Sequence, residues 1–305
     1  MTTVVEASPK TLLVTGAAAV SVLLWGSSFV AIRHAGTEFS AGSMSLARLL
    51  VGSVLLGTYL YFRERPTRAS WPARRDWPPL LACGLLWFGV YNVALNAAER
   101  RLDAGTAAML VHIAPLLIAL LAGLTLGEGF PRQLVIGSLV AFGGVVLIGT
   151  ATSTGRAETW GVILCFVAAI SYAVGVVAQK PLLTRLPAAQ VTWLACMIGT
   201  VACLPYAPTL TTELRTASAG TIWWVIYLGA FPTALGFTTW AYALRRSTAG
   251  RMGVTVYAVP VVAIALAWLL LDETPARLAL VGGALCLAGV AISRRTGRST
   301  ARREA

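Results

Sequence analysis

The chain has 305 residues, of which 57% are hydrophobic and 12% charged, and its mean hydropathy is +0.75. A soluble domain carries about twice that charged fraction. The formal net charge is +12, but the basic residues sit in short stretches between apolar runs and in the C-terminal tail, a pattern of membrane topology that sets aside a nucleic-acid-binding face.

A helix needs about 20 mainly apolar residues to cross the hydrocarbon core. Ten runs meet that need: Leu12 to His34, Met44 to Phe62, Pro78 to Ala98, Ala104 to Leu126, Gln133 to Ala151, Trp160 to Lys180, Ala188 to Tyr206, Thr221 to Ala243, Met252 to Leu271 and Ala276 to Ser293. The first is too long for the apolar core of a signal peptide and lacks a clear cleavage site after it. An all-α integral membrane protein with ten transmembrane helices is expected. Its divisions are a tail over 1–11, five-helix units over 12–152 and 160–293, and a basic tail over 294–305.

Along the chain, the first span places Trp25 and Ser28 on one face. The second carries Arg48, the one clear charge inside a span; an arginine there must snorkel, bond to neighbouring groups, or anchor an anion. In the third, Tyr91 is followed by Asn92 and Asn96, four apart on one helix face, so that face points into the protein. His112 and Pro115 share a face of the fourth span, and Tyr257 and Pro260 repeat the arrangement in the ninth. A proline inside a span frees a carbonyl and kinks the helix, which suits either a ligand site or a plain structural bend. Tyr172 and Gln179 lie two turns apart in the sixth span, and Trp240 adds an aromatic in the eighth. These residues are candidates for an amphipathic cavity wall, against the alternative of packing or interfacial anchoring. The latter fits Trp71, Trp77 and Trp160 near span ends.

Glu128 and Glu273 end the fourth and ninth spans beside Pro131 and Thr274-Pro275, which read as helix starts. A carboxylate there suits the next helix's N-terminal amides, or Arg132 and Arg277, better than proton transfer. His112 is the histidine well inside a span and the candidate for proton coupling. Gly123-x-x-x-Gly127 matches a helix-packing motif weakly. The five cysteines, Cys83, Cys165, Cys196, Cys203 and Cys286, all lie in apolar runs and read as inert buried thiols, with no metal site.

Of the 24 Lys and Arg, 17 fall on the side of the two termini, six on the other side, and Arg48 lies within a span. This asymmetry puts both termini in the cytoplasm of a multi-pass inner (plasma) membrane protein. The chain also repeats itself. Residues 25–59 align without gaps to 172–206, and 80–147 to 225–292. Arg33 falls on Lys180, Gly52 on Gly199, Arg100-Arg101 on Arg245-Arg246, Pro115 on Pro260, Glu128 on Glu273, Gly137 on Gly282 and Gly144 on Gly289. Five spans per repeat, an odd number, make the repeats inverted, an arrangement typical of secondary transporters.

Trp25-Gly26-Ser27-Ser28-Phe29-Val30, Ala47-Arg48, Pro115 with Glu128, and Pro260 with Glu273 resemble the EamA-type branch of the drug/metabolite transporter superfamily. The resemblance covers nearly the whole chain. It implies a central cavity lined by the first, third, fourth, sixth, eighth and ninth helices. It also implies export of amino acids, other metabolites or drugs, with import by some members. Tyr172 in place of Trp25 and Ala195 in place of Arg48 make the cavity chemically asymmetric. The expected partners are a small-molecule substrate, the lipid bilayer and a coupling ion, proton or Na⁺, for a monomer or homodimer. A membrane-embedded lipid-modifying enzyme is the competing class, but the spans hold no convergent acid, base or nucleophile set. No cofactor is implied.

Overall fold

The computed structural model of the protein describes residues 9–64, 71–102, 110–152, 159–271 and 276–294. Glu273 and Thr274-Pro275 lie outside the described residues. The regular elements are helices: α1 (Leu12–Ala35), α2 (Ala41–Arg63), α3 (Arg74–Glu99), α4 (Ala114–Thr125), α5 (Arg132–Ala151), α6 (Thr159–Leu182), α7 (Ala188–Thr216), α8 (Ala219–Arg245), α9 (Ala249–Leu266) and α10 (Arg277–Ser293). Eight of them are long and apolar enough to cross a membrane, whereas α4 and α10 are shorter apolar helices. In hydrocarbon every backbone group must be bonded internally, which a helix alone achieves within one segment. Burial follows the same logic. Val54, Tyr61, Trp223 and Leu269 are exposed, while Arg48, Asn92, Gln179 and Thr233 are buried.

Two helices depart from α geometry at their centres. Cys83–Val90 in α3 and Gly229–Leu235 in α8 are π-helical. Such wide turns release backbone carbonyls, and side chains take them up. Asn92 Nδ2 donates to the carbonyls of Trp87 (3.3 Å) and Phe88 (2.8 Å). Pro232 has no N–H to offer, and Thr233 Oγ1 donates to the Leu228 carbonyl at 2.8 Å.

The two prolines expected as kinks stand elsewhere. Pro115 is in the first turn of α4, directly after a break at His112 and Ile113. Pro260 follows a 3-10 turn over Val256–Ala258 that interrupts α9. In both cases the irregular backbone is at His112 or Tyr257, and the proline starts the helix that follows.

In the packing, α1 lies against α8 and α9, and α6 against α3 and α4. Helix α2 meets α8 and α7; α3 also meets α7. Helices α4 and α9 pack together, as do α5 and α10. The α5–α10 contact is backbone to backbone: a Cβ on Gly137 would stand 2.6 Å from the Gly289 carbonyl oxygen, and one on Gly282 would stand 2.6 Å from that of Gly144. Gly123 and Gly127 do not form the helix contact their spacing suggests. Gly123 faces the Phe130 ring, and Gly127 adopts φ 67° with open space around it.

Each end of the bundle is tied by carboxylates. At one end Glu38 accepts from Ser218 N (2.6 Å) and Oγ (3.0 Å), and Glu213 accepts from Ser40 N (3.1 and 3.2 Å). At the other, Asp76 pairs with Arg185 at 2.8 Å. Glu128, held between two positive-φ glycines, Gly127 and Gly129, accepts from Ala249 N (2.6 Å) and Gly250 N (3.0 Å). The amides it meets are those of α9, more than a hundred residues away, not those of the next helix, α5, as the sequence suggested. Lys180 Nζ donates to the Leu244 carbonyl at 2.6 Å and to that of Ser247.

Candidate functional site

A cavity of about 70 Å³, room for a few water molecules, lies at the centre of the bundle. Its walls come from α1, α2, α3, α6, α8 and the irregular segments around His112 and Val256. One side is aromatic. Trp87 stacks on Tyr172 (centroids 5.2 Å apart, interplanar angle 25°) and meets Phe237 edge-on at 4.9 Å. Trp25 packs on Phe237 at 5.2 Å and donates through Nε1 to the Pro232 carbonyl at 3.2 Å.

The other side carries charge. Arg48 is 6% exposed, and its Nε donates to Thr233 Oγ1 at 3.1 Å. Thr233 is thereby fixed twice, by the Leu228 carbonyl and by Arg48. No other hydrogen bond reaches the guanidinium among the described residues, so both of its Nη groups remain to serve the cavity. Snorkelling to the membrane surface does not describe this arginine. Glu99, at the C-terminal end of α3, lines the same cavity. It forms no ion pair with Arg48 among the described residues. Arg48 and Glu99 therefore line one cavity without pairing, and Arg33 also lies within electrostatic reach of Glu99.

A second cavity of about 260 Å³ shares Phe29, Ile32 and Glu99 with the first and extends to Arg33, Thr37 and Arg100. The second cavity thus borders the central one and reaches the end of the bundle that carries Arg33. Lys180 and Glu128 tie the turn at the opposite end.

Of the residues singled out from sequence, Trp25, Ser28, Arg48, Tyr91, Asn92, His112, Pro115 and Tyr172 come together on the central cavity. Asn96 lines the second cavity and donates to Ser45 Oγ at 3.0 Å. Gln179, Trp240 and Tyr257 are fully buried between helices and lie off both cavities, as does Pro260. The Tyr257 ring still lies 6.4 Å from that of His112. Glu128 belongs to the Lys180 end, not to the cavity. Sequence reading passed over Glu99, Trp87 and Phe237. A carboxylate directly before the Arg100-Arg101 pair looks like a loop residue; its signal was its i+3 spacing from Asn96.

A polytopic apolar bundle around a small charged and aromatic cavity is the architecture of a membrane transport protein. The chain belongs to the EamA-like transporter family, which it matches over residues 13–150 and 159–295. It is 39% identical over 279 residues to a probable terminal-alkyne amino-acid exporter of Streptantibioticus cattleyicolor, covering 90% of this chain and 92% of that one. It is 27% identical over 287 residues to a probable amino-acid metabolite efflux pump of Salmonella typhimurium, covering 89% and 91%. A solved crystal structure superimposes with a TM-score of 0.74 over 96% of this chain and 99% of its own, at 21% identity. That likeness concerns the fold alone.

Proposed function

We propose that this protein is a secondary active exporter of a small amino acid or related metabolite, working by alternating access. The observation that carries the reading is the pair of Arg48 and Glu99, opposite charges held apart on one partly aromatic cavity. An α-amino acid presents a carboxylate and an ammonium a few ångströms apart, with a side chain projecting away. Arg48 suits the first through its free Nη donors, Glu99 suits the second, and Trp25, Trp87, Tyr172 and Phe237 suit an apolar side chain. The names of the two relatives, a probable terminal-alkyne amino-acid exporter and a probable amino-acid metabolite efflux pump, point the same way.

The architecture we infer is ten transmembrane helices in two inverted five-helix repeats. Exchanging α1 with α6, α2 with α7, α3 with α8, α4 with α9 and α5 with α10 turns one half of the contacts into the other. The α1–α8 contact becomes α6–α3, α1–α9 becomes α6–α4, and α2–α8 becomes α7–α3. The π-helices of α3 and α8 exchange as well. Glu38 corresponds to Arg185 in the repeat register, and Glu38 with Ser218 ties one end as Arg185 with Asp76 ties the other. With the basic residues concentrated on the terminal side, the Lys180–Glu128 end is cytoplasmic and the Arg33–Arg100 end faces outward. His112 and Glu99 are the cavity groups able to take a proton from a driving gradient.

The test is counterflow in proteoliposomes. Vesicles preloaded with unlabelled leucine, norvaline or phenylalanine should accumulate the labelled compound transiently, and protein-free vesicles should not. Absence of counterflow with every free amino acid tried would sink the substrate assignment.

A further inference from the structure

Off the cavities, three buried side chains hold polar groups with nothing to bond. The Tyr257 Oη, the Trp240 Nε1 and both amide atoms of Gln179 are buried without a hydrogen-bond partner among the described residues. All three side chains are 0% exposed. They come from three helices, α9, α8 and α6, and two of them adjoin the open site: the Trp240 ring is 5.0 Å from Trp25, and the Tyr257 ring lies 6.4 Å from that of His112. Buried polar groups are nearly always paired, and these three orphaned side chains call for a reason; the Tyr172 Oη, also without a partner, already lines the open cavity.

The internal repeat supplies one. In the gap-free register, Gln179 corresponds to Ile32, Trp240 to Leu95 and Tyr257 to His112. Ile32, Leu95 and His112 all line the open cavity. Each of these three is therefore the second-repeat counterpart of a residue that faces the cavity here. When two inverted repeats exchange shapes, residues buried in one half take the places their counterparts held in the other.

We infer that Gln179, Trp240 and Tyr257 form a second half of the substrate path, closed in this structure, that opens toward the Lys180–Glu128 end and receives the substrate through neutral hydrogen bonds. This rests on the alternating-access reading above. The chemistry of the two halves differs. In the second repeat Ala195 stands at the position of Arg48 and Leu244 at that of Glu99, so this half has no charge at either place. It offers an indole N–H, a phenol O–H and a carboxamide with both donor and acceptor. These groups bind the polar end of a small amino acid, or water before it arrives, without fixing a counter-charge. On this path the substrate meets neutral groups on the Lys180 side and the Arg48–Glu99 pair on the other. The orphans also bias the conformational equilibrium: their missing hydrogen bonds penalise the closed half and are made when it opens.

Two measurements test the assignment. In the first, single cysteines at 179, 240 and 257 are placed in a variant whose five native cysteines are alanine. They are treated with a methanethiosulfonate ethylammonium reagent in right-side-out and in inverted vesicles. Each should react at least tenfold faster from the Lys180–Glu128 face, and faster again when Glu128→Ala is added. Near-zero reaction from both faces in both backgrounds overturns the proposal. In the second, Tyr257→Phe and Gln179→Leu are made in the native chain. Removing an orphaned group should raise the melting temperature while slowing export three- to tenfold. An unchanged or lowered melting temperature with unchanged export overturns it. Labelling and melting use no substrate, so failed counterflow in the parent protein would count against the amino-acid assignment and leave these results standing.

Discussion

Glu128 and Lys180 grip the two ends of one turn. The Glu128 carboxylate accepts from the Ala249 and Gly250 amides that open α9, and Lys180 Nζ donates to the Leu244 and Ser247 carbonyls that close α8. An anion at a helix N-terminus and a cation at a C-terminus both oppose the local dipole favourably. Because Glu128 and Lys180 come from α4–α5 and α6, this turn ties both sequence halves together. Glu128→Ala leaves two amides without their acceptor and should lower stability by about 1–3 kcal/mol. Lys180→Met should do likewise, and the double variant should lose less than the sum, since both act on one turn. Thermal unfolding in detergent checks each value. Full additivity would separate the two contacts.

The glycines of α5 and α10 make a second, purely steric prediction. A Cβ on Gly289 would stand 2.5 Å from the Gly137 carbonyl oxygen and from Ala141 N. These are backbone atoms and cannot turn aside. Gly289→Ala should therefore push the helices apart and cost roughly 1–3 kcal/mol. Gly143, one residue from the contact, would have nothing within 4 Å of an added methyl group. Gly143→Ala should be neutral or stabilise by up to about 1 kcal/mol through helix propensity. Melting temperatures of the two variants should move in opposite directions or differ clearly; equal shifts would refute the close-contact argument.

Glu38 provides a pH prediction outside the membrane-spanning helices. The Ser218 backbone N–H, donating at 2.6 Å, holds this carboxyl below its usual range. A depressed carboxyl stabilises the fold fully above its unfolded pKa, about 4.3 for glutamate. That contribution is lost as pH falls through the lower native value. The stability difference between the parent and Glu38→Gln should hold from neutral pH down to about pH 5 and shrink below about pH 4. Glu38 is exposed, so the difference is small. A difference independent of pH would assign it to packing and not to charge.

Much of this was legible in the sequence for a physical reason. Hydrocarbon admits few polar side chains, so Trp25, Ser28, Arg48, Asn92 and Tyr172 stood out within their apolar runs, and the structure gathers them on one cavity. Glu99 did not stand out, because it falls where the third run gives way to Arg100-Arg101. The π-helices were hidden too: Cys83–Val90 and Gly229–Leu235 read as ordinary apolar helix, and their width shows only through the side chains that catch freed carbonyls. Trp240, Tyr257 and Gln179 were marked by the same polarity as the cavity residues. Sequence alone does not distinguish the half of a repeat protein that is open from the half that is packed.

Arg48 and Glu99 should divide the recognition of substrate between them. A charge-assisted hydrogen bond contributes about 1.5–3 kcal/mol, or roughly 10- to 100-fold in affinity. Arg48→Gln should weaken counterflow of a free amino acid by that factor, and so should Glu99→Gln. The two losses should differ in kind. An amino-acid amide keeps the ammonium and loses the carboxylate; an N-acetyl amino acid does the reverse. The parent protein should discriminate against both. Arg48→Gln should lose discrimination against the amide, because the carboxylate no longer has a charged partner, while still rejecting the N-acetyl compound. Glu99→Gln should lose discrimination against the N-acetyl compound alone. Arg48→Lys separates charge from geometry: it keeps the cation but not the Nε donor that engages Thr233 Oγ1, so an intermediate loss is expected. Inhibition constants for the three compounds, measured against labelled leucine in proteoliposomes, give the comparison directly. If both neutralised variants lose affinity for all three compounds equally, Arg48 and Glu99 support the cavity without reading the substrate's two charges.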